Sequence, residues 1–196
     1  MEQRIIEVAR QVFIEKGFAE TSMSDIAARV GINRPGLHYY FRTKERMFEA
    51  IFADLVTSFL PTIHQIALQD RPVSERIAEI VEVYFEVMQA NPMLPVFIVR
   101  EIQRDATHIF NTINRMEIGQ YIRKIKEALQ EEMASGKMRQ APMEFILYTF
   151  YGLLFAPFLS RPLTEVLFAG PDVNTEERMR QWKTQVTEQM CLLLCP

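Results

Sequence analysis

The chain has 196 residues, 48% of them apolar, two cysteines and a formal net charge of −3. This composition excludes a collagen, a disordered tail and a disulfide-stapled miniprotein, and it is typical of a globular protein with a sizeable core. No run approaches ~18 uninterrupted apolar residues, and Glu2, Arg4 and Glu7 interrupt the N-terminus, so we expect a cytoplasmic protein without a membrane span or signal peptide.

The first two predicted helices are short and have clear ends. Apolar residues at helical spacing predict a helix over 2–16, and Gly17 stands where a C-terminal cap belongs. Ser22 and Asp25 have the spacing of a capping box, which predicts the start of a second helix. Gly31 ends that helix and permits a sharp turn.

A third and a fourth helix follow the turn. Pro35 suits the first position of a short helix over 35–41, and Thr43 caps a helix predicted over 44–68. Two short helices joined by a tight turn and braced by two others are typical of a helix-turn-helix. Residues 24–46 also carry five basic side chains against two acidic ones, a balance that favours nucleic acid.

Residues 4–49 resemble the DNA-binding domain of the TetR family of bacterial transcriptional regulators. The resemblance rests on the runs 17–27, 31–41 and 44–45. It implies a helix-turn-helix DNA-binding domain over 1–48. The rest of the chain fits the family in length and helical character only.

Beyond residue 50 the pattern is helical throughout, without strand alternation. The predicted helices after the fourth are 73–89, about 93–103, Asp105 to Ser135 ended by Gly136, Pro142 to about Leu159 with a kink near Pro157, 162–168, and 175–194 capped by Asn174. We predict an all-α fold of about nine to ten helices. The resemblance implies that 49–196 form a helical effector-binding and dimerisation domain.

The candidate DNA contacts lie on the second and third helices and at the start of the fourth. Arg34 offers a two-pronged donor to guanine, with a solvated arginine as the alternative. The resemblance implies that Tyr39 and Tyr40 meet bases or sugar-phosphate and that Lys44 binds a phosphate. The full predicted set is Ser22, Ser24, Asn33, Arg34, Pro35, Gly36, His38, Tyr39, Tyr40 and Lys44.

Three of these positions have a second interpretation. Ser22 and Ser24 could cap the second helix instead of binding DNA. His38 replaces the tyrosine that is usual in the family, which suggests the hypothesis that operator affinity depends on pH.

The segment 143–159 is apolar nearly all round, so one face needs the core and another needs a partner. The alternative is a helix buried within its own domain. The resemblance implies a four-helix homodimer interface built from the two C-terminal helices of each subunit. The predicted interface residues are Leu147, Phe150, Leu154, Phe158, Trp182, Val186 and Met190.

The middle helices mix methionine and aromatic residues with a few polar groups, a lining that suits a small apolar or aromatic ligand. Plain core packing is the alternative. The predicted pocket residues are Tyr84, Met88, Phe97, Arg100, Gln103, His108, Phe110, Met116, Tyr121, Tyr148 and Tyr151.

Nothing in the sequence is typical of an enzyme. It has no glycine-rich phosphate loop, no metal-ligand spacing and no nucleophile elbow, so we expect neither a metal nor a cofactor. Cys191 and Cys195 are expected to be buried or frayed thiols, with a redox switch as the alternative.

These observations predict a dimeric repressor that a small effector releases from an inverted-repeat DNA operator. The ligand is expected to shift the fourth helix and so lower operator affinity. One alternative keeps DNA binding without an inducer, or with activation in place of repression. The other is a ligand-binding scaffold that no longer reads DNA.

Overall fold

The computed structural model describes residues 1–116, 118–168 and 175–196. All regular structure in these residues is helical, which confirms the all-α prediction. The helices are α1 (Glu2–Lys16), α2 (Met23–Val30), α3 (Arg34–Tyr40), α4 (Lys44–Thr57), α5 (Leu60–Ala67), α6 (Val73–Ala90), α7 (Leu94–Arg115), α8 (Ile118–Ala134), α9 (Met143–Phe168) and α10 (Thr175–Leu194). The cap predicted at Asn174 lies outside the described residues.

The chain divides into two units. The first unit contains Met1–Ser58 and Val96–Gly119, and the second contains Phe59–Pro95 and Gln120–Pro196. The predicted division at residue 48 concerns function and stays a prediction.

Aromatic rings form the centre of the first unit. Phe48 of α4 is fully buried and contacts the rings of Phe13, Phe18, Phe97 and His108. The ring centroids lie 5.1 to 6.1 Å apart, within the range of favourable aromatic pairs. The second half of α7 is therefore packed on the same core as α1 and α4.

Two long helices expected from the sequence are each divided. The predicted helix 44–68 stops at Thr57 and resumes at Leu60, because Pro61 has no N–H to bond the carbonyl one turn earlier and its ring crowds that carbonyl. The predicted helix from Asp105 to Ser135 is divided between α7 and α8.

Asp105 marks a kink inside α7, and a second helical stretch starts after it, as the sequence predicts. Its backbone is non-helical, with φ −162° and ψ 86°. Its carboxylate accepts a hydrogen bond from the backbone N–H of His108 at 2.9 Å, as an N-cap side chain does. The short helix predicted over 93–103 thus continues into the next turns as one bent element.

Near the C-terminus, two helices expected from the sequence form one helix in the structure. The sequence predicts one helix to about Leu159 and another over 162–168, whereas α9 continues through Pro157 and Pro162. Each proline removes one backbone hydrogen bond, and the other turns of the helix remain.

At the C-terminus, burial together with Cys195 raises the pKa of the Cys191 thiol to about 11, which disfavours the reactive thiolate.

Two helical stretches, Lys44–Ala67 and Met143–Phe168, are long and apolar enough to cross a membrane by length and composition alone. The sequence criterion of an uninterrupted apolar run did not find them. Core helices pass the same test, and the first stretch is interrupted between α4 and α5. The second differs because only 17% of its most apolar window is buried. It therefore leaves apolar surface that needs an explanation.

Candidate nucleic-acid interface and cavity

The capping box predicted at the start of α2 is present. The Ser22 hydroxyl accepts the backbone N–H of Asp25 at 3.1 Å, and the Asp25 carboxylate accepts the backbone N–H of Ser22 at 2.9 Å. The hydroxyl also donates to that carboxylate at 2.7 Å. These hydrogen bonds from Ser22 hold the pKa of Asp25 at about 2. Ser22 is thus occupied as a cap, whereas Ser24 is exposed and makes no such bond in the described residues.

The turn between α2 and α3 depends on two glycines. Gly31 lies in the left-handed region, with φ 82° and ψ 31°, which other residues rarely adopt. Asn33 caps α3, because its side-chain oxygen accepts the backbone N–H of Gly36 at 2.8 Å. A Cβ at Gly36 would lie 2.9 Å from that oxygen, so a side chain there would disturb the cap.

The face of α3 opposite the core carries the predicted DNA contacts. Leu37 is fully buried and fixes the helix, while Tyr39 is 84% exposed and stacks edge-to-face with Tyr40 at 5.2 Å. The Arg34 guanidinium donates through Nε to Nε2 of His38 at 3.4 Å. The structure therefore brings four predicted contacts together on one exposed helix.

The basic residues of this region differ in their partners. Arg29 and Arg46 pair with carboxylates, at 2.8 and 3.4 Å. Arg34, Arg42 and Lys44 have no carboxylate partner in the described part of the chain. Arg42, between α3 and α4, is exposed and belongs to the same basic stretch, but the predicted set of DNA contacts does not include it.

Lys44 already has partners inside the first unit. Its ammonium donates to the carbonyls of Phe18 and Ala19, at 2.8 and 3.3 Å, and lies 4.4 Å from the centre of the Phe18 ring. Two of its three N–H donors are therefore used by the loop between α1 and α2. The predicted phosphate contact, which is not tested, would have to use the third donor or replace these bonds.

The first half of α7, before the kink at Asp105, holds the same loop from another side. Glu101 is 2% exposed, and its carboxylate accepts the backbone N–H of Phe18 at 3.1 Å. Arg104 donates to that carboxylate at 2.8 Å and lies 4.6 Å from the Phe18 ring centre. We call Lys44, Glu101 and Arg104 the loop clamp. It joins α4, α7 and the loop before α2 in one polar network, which the sequence did not predict.

The second unit contains a cavity of about 650 Å³. Its walls come from α5, α6, α8, α9 and the end of α10, for example Leu60, Ile80, Ile125, Ile146 and Leu194. The lining is almost entirely apolar, as is typical of a site for a small apolar molecule.

Few polar groups line this cavity. The guanidinium of Arg76 bonds both carboxylate oxygens of Glu132, at 2.7 and 2.8 Å, and two backbone carbonyls. The hydroxyls of Tyr84 and Tyr151 bond each other at 3.1 Å. Burial raises the pKa of both tyrosines, so both remain neutral.

Comparisons with known proteins agree with this architecture. The family of bacterial regulatory proteins called tetR matches residues 5–51. A Bacillus subtilis protein named "Probable HTH-type transcriptional regulator YttP" is 25% identical over 175 residues, covering 86% of this chain and 82% of its own. The fatty acid metabolism regulator of the same organism is 21% identical over 137 residues, covering 70% of each chain.

Residues 5–51 are thus identified as a TetR-family DNA-binding domain. The chain is a DNA-binding transcriptional regulator. Its fold is that of solved regulators: the Bacillus subtilis regulator FadR in complex with stearoyl-CoA has a TM-score of 0.72, at 17% identity and 97% coverage of each chain. The fatty acid degradation regulator FadR of Bacillus halodurans has a TM-score of 0.69, at 19% identity, with 96% of this chain and 93% of that chain covered.

The predicted pocket of this regulator needs correction. Tyr84, Tyr148 and Tyr151 line the cavity, as expected. Met88 and Tyr121 belong to the second unit but do not line it. The other predicted residues, which lie in the first unit, are Phe97, Arg100, Gln103, His108, Phe110 and Met116. Phe97 and His108 instead pack on the Phe48 ring.

The cavity walls that the sequence missed come from α5, α6, α8, α9 and α10. Ile122, Ile125 and Leu129 line it from α8. Their spacing of three and four residues is a helical stripe, so periodicity could have identified the face but not what it encloses.

The predicted dimer interface also needs correction. Leu154, Val186 and Met190 are at most 2% exposed within the chain itself, so they cannot contact a partner. Leu147 and Phe150 line the cavity. Trp182 is half-buried and donates its indole N–H to the carbonyl of Leu153 at 2.9 Å.

The exposed apolar face of α9 lies on its other side. Exposed apolar or small residues recur every three or four positions: Phe145, Tyr148, Gly152, Ala156, Leu159, Leu163 and Val166. We call these seven residues the α9 face. No charged residue interrupts it, and nothing lies within 4 Å of a Cβ placed on Gly152.

In the part of the chain that the structure describes, no three His, Cys, Asp or Glu side chains come together as metal ligands would. The two Bacillus subtilis relatives described above are named as regulators and not as enzymes.

Proposed function

We propose that the regulator is a homodimeric repressor whose operator affinity falls when a long acyl compound fills the cavity of the second unit. The observation that carries this proposal is the combination of an exposed recognition helix in one unit with an apolar cavity of about 650 Å³ in the other.

The DNA half of the proposal uses α3. Its N-terminal Arg34 would read guanine, worth about 1–3 kcal/mol of discrimination. Tyr39 and Tyr40 would contact bases or sugar-phosphate, and Arg42 and Lys44 would contact phosphates. One such helix reads too few base pairs to select a site in a genome, so two copies on an inverted repeat are required.

The α9 face supports a second copy of this chain as the partner. A two-fold dimer places the same surface of both subunits together, so the surface must be complementary to itself. A charge-free helix face with Gly152 and Ala156 at its centre meets this requirement, because small residues let two helices approach closely. Leu163 and Val166, which are 60% and 82% exposed, would become buried.

Glutamate substitutions test the dimer. Leu163→Glu places a charge in the proposed contact, so we expect sedimentation to show a monomer and operator affinity to fall at least tenfold. Leu68→Glu is the matched control, because Leu68 is 51% exposed at the end of α5 and lies off the α9 face. A dimer that survives Leu163→Glu would refute this interface.

The effector half of the proposal rests on the cavity and on relatives that respond to lipids. The relative in complex with stearoyl-CoA and the fatty acid metabolism regulator suggest an acyl chain, which the apolar walls would suit. The chain passes between the two units at 58–59, 95–96 and 119–120. A ligand that moves α5, α6 or α8 would therefore act on segments of the first unit through the backbone.

The whole proposal can be tested in two steps. Selection of duplexes from a randomised pool at fixed salt should recover a palindrome with half-sites about one helical turn apart. Palmitoyl-CoA should then lower affinity for that duplex about 5- to 150-fold, while coenzyme A without an acyl chain should not. A palindrome that palmitoyl-CoA does not release would favour the alternative of a regulator without this inducer. Recovery of no preferred sequence would contradict the proposed operator.

A further inference from the structure

The hydroxyl pair of Tyr84 and Tyr151 has an unused proton. Two hydroxyl groups have two protons, and the bond between them uses one. Among the described residues, neither oxygen has another hydrogen-bond partner, so the second proton has no protein acceptor. Both side chains line the cavity, whose walls are mostly apolar.

Aromatic packing fixes this pair in place. Phe150 and Phe59 lie against the Tyr84 ring, at centroid distances of 5.0 and 5.2 Å, and Phe155 lies 5.4 Å from the Tyr151 ring. The tyrosines stand on different helices, α6 and α9, and meet edge-to-face at 6.0 Å. The hydroxyls are therefore held together by packing from both helices.

The charge of the site favours a neutral ligand group. Arg76 stands eight residues before Tyr84 on α6, roughly 12 Å along the axis, and already holds Glu132. Lys126, the other cation of the described lining, makes no hydrogen bond to either hydroxyl. A carboxylate beside the tyrosines would lose its hydration without gaining a cation, which is costly in an apolar cavity.

We propose that the Tyr84–Tyr151 pair binds one uncharged carbonyl oxygen of the effector, as in an acyl ester, thioester or ketone. This inference rests on the proposed function, because it concerns the same cavity, and it names the chemical group that the cavity selects. A carbonyl is the simplest fit, since it accepts one proton and has none of its own to place. A plain alkane leaves the proton without an acceptor, and an ionised acid adds an uncompensated charge.

The variants have an unusual expected pattern. Tyr84→Phe removes one hydroxyl, and the proton of Tyr151 is then free to bind the carbonyl. Tyr151→Phe leaves the proton of Tyr84 free in the same way. Each single variant should therefore retain carbonyl binding, and the double variant should lose it. A role in packing alone predicts no such pattern, because phenylalanine preserves the rings.

The experiment measures displacement of the fluorescent probe anilinonaphthalene sulfonate from the full-length protein. Its ligands are methyl heptyl ketone, nonane and nonanoate, which have equal numbers of carbons. The ratio of ketone to nonane affinity should fall about tenfold in the double variant and stay within twofold of wild type in each single variant. Tyr121→Phe is the control, since Tyr121 belongs to the second unit but does not line the cavity, and the ratio should not change.

The outcomes separate this inference from the proposed function. If palmitoyl-CoA displaces the probe but the ketone-to-nonane ratio is the same in wild type and the double variant, the carbonyl site is wrong and the acyl effector stands. If nonanoate binds wild type as tightly as the ketone, the preference for a neutral group is wrong. If neither palmitoyl-CoA nor the nine-carbon ligands displace the probe, the effector proposal fails and the carbonyl site fails with it.

Discussion

The two units use similar apolar residues to different ends. In the first unit the rings around Phe48 contact one another, and the loop clamp fixes the segment before α2. In the second unit α5, α6, α8 and α9 surround an open volume of about 650 Å³. A filled core suits a unit that binds DNA with a fixed geometry, whereas a hollow core suits a unit whose walls adapt to a ligand.

The helix starts of the two units also differ in how they are capped. Side chains of Ser22, Asn33 and Thr43 cap α2, α3 and α4. No side chain caps α5 or α6, whose starts coincide with prolines. Local sequence signals therefore determine where the helices of the first unit begin. In the second unit, packing between distant segments determines the helix positions.

The largest expected effect tests the difference between a filled and a hollow core. Phe48→Ala should cost about 3–5 kcal/mol of unfolding free energy, because it opens a void among four rings. Ile80→Ala should cost about 2 kcal/mol or less, because Ile80 already borders the cavity. Urea denaturation of both variants measures the two costs. Equal costs would mean that the cavity walls are as tightly packed as the ring core.

The next effect tests the loop clamp. Glu101→Ala should lower the unfolding free energy by about 1–3 kcal/mol, because the buried N–H of Phe18 loses its acceptor and Arg104 loses its carboxylate. Glu101→Gln keeps an acceptor oxygen and should cost less. Operator affinity should follow the same order if the clamp positions the loop before α2. An alanine variant that is as stable as the glutamine variant would show that the acceptor contributes nothing.

The helices of the first unit could be predicted because the sequence signals that set their ends are local. Gly31 and Asn33 have their effects within three residues, so their meaning does not depend on the rest of the fold. The loop clamp escaped prediction because Glu101 lies 83 residues from Phe18 in the chain.

The burial of residues in the second unit could not be predicted as well, because α9 is apolar on every side. Periodicity cannot distinguish the face of Leu154, which is buried, from the face of Ala156, which is exposed. For this reason the predicted interface included Leu154, which is buried within the chain. The pocket prediction likewise took Phe97 and His108 for lining, since a stripe of aromatic residues has the same pattern in a filled core and around a cavity.

A smaller effect concerns the cap of α2. Ser22→Ala should cost about 1 kcal/mol of stability, whereas Ser24→Ala, at an exposed position without a hydrogen bond, should cost almost nothing. Chemical denaturation at neutral pH distinguishes the two. If both serines have the same effect, the cap is not what stabilises this helix.

The same cap has a signature in acid. The pKa of Asp25 is lowered to about 2, below its unfolded value near 3.9, so its stabilising effect is complete above about pH 4 and is lost as the pH falls towards 2. Stability should therefore decline between these values in wild type, and less steeply in Ser22→Ala. Denaturation at several pH values in this window measures the difference. Parallel declines would show that Asp25 is not linked to the cap.

The smallest effect concerns Arg34 and His38 on the recognition helix. Arg34 donates to Nε2 of His38, which can accept only while the imidazole is neutral at that nitrogen. Protonation would remove the acceptor, release the guanidinium for a base or phosphate and add a positive charge facing the DNA. Operator affinity of the wild type should therefore rise as the pH is lowered. His38→Gln cannot gain this charge, so its affinity should change less with pH. Fluorescence anisotropy on the selected duplex at constant salt measures both, because phosphate contacts make affinity depend on ionic strength. Equal pH dependence in the two proteins would assign the effect to groups outside α3. A difference between them would show that the exposed Arg34–His38 hydrogen bond changes the operator affinity of a unit whose core and helix caps are otherwise fixed.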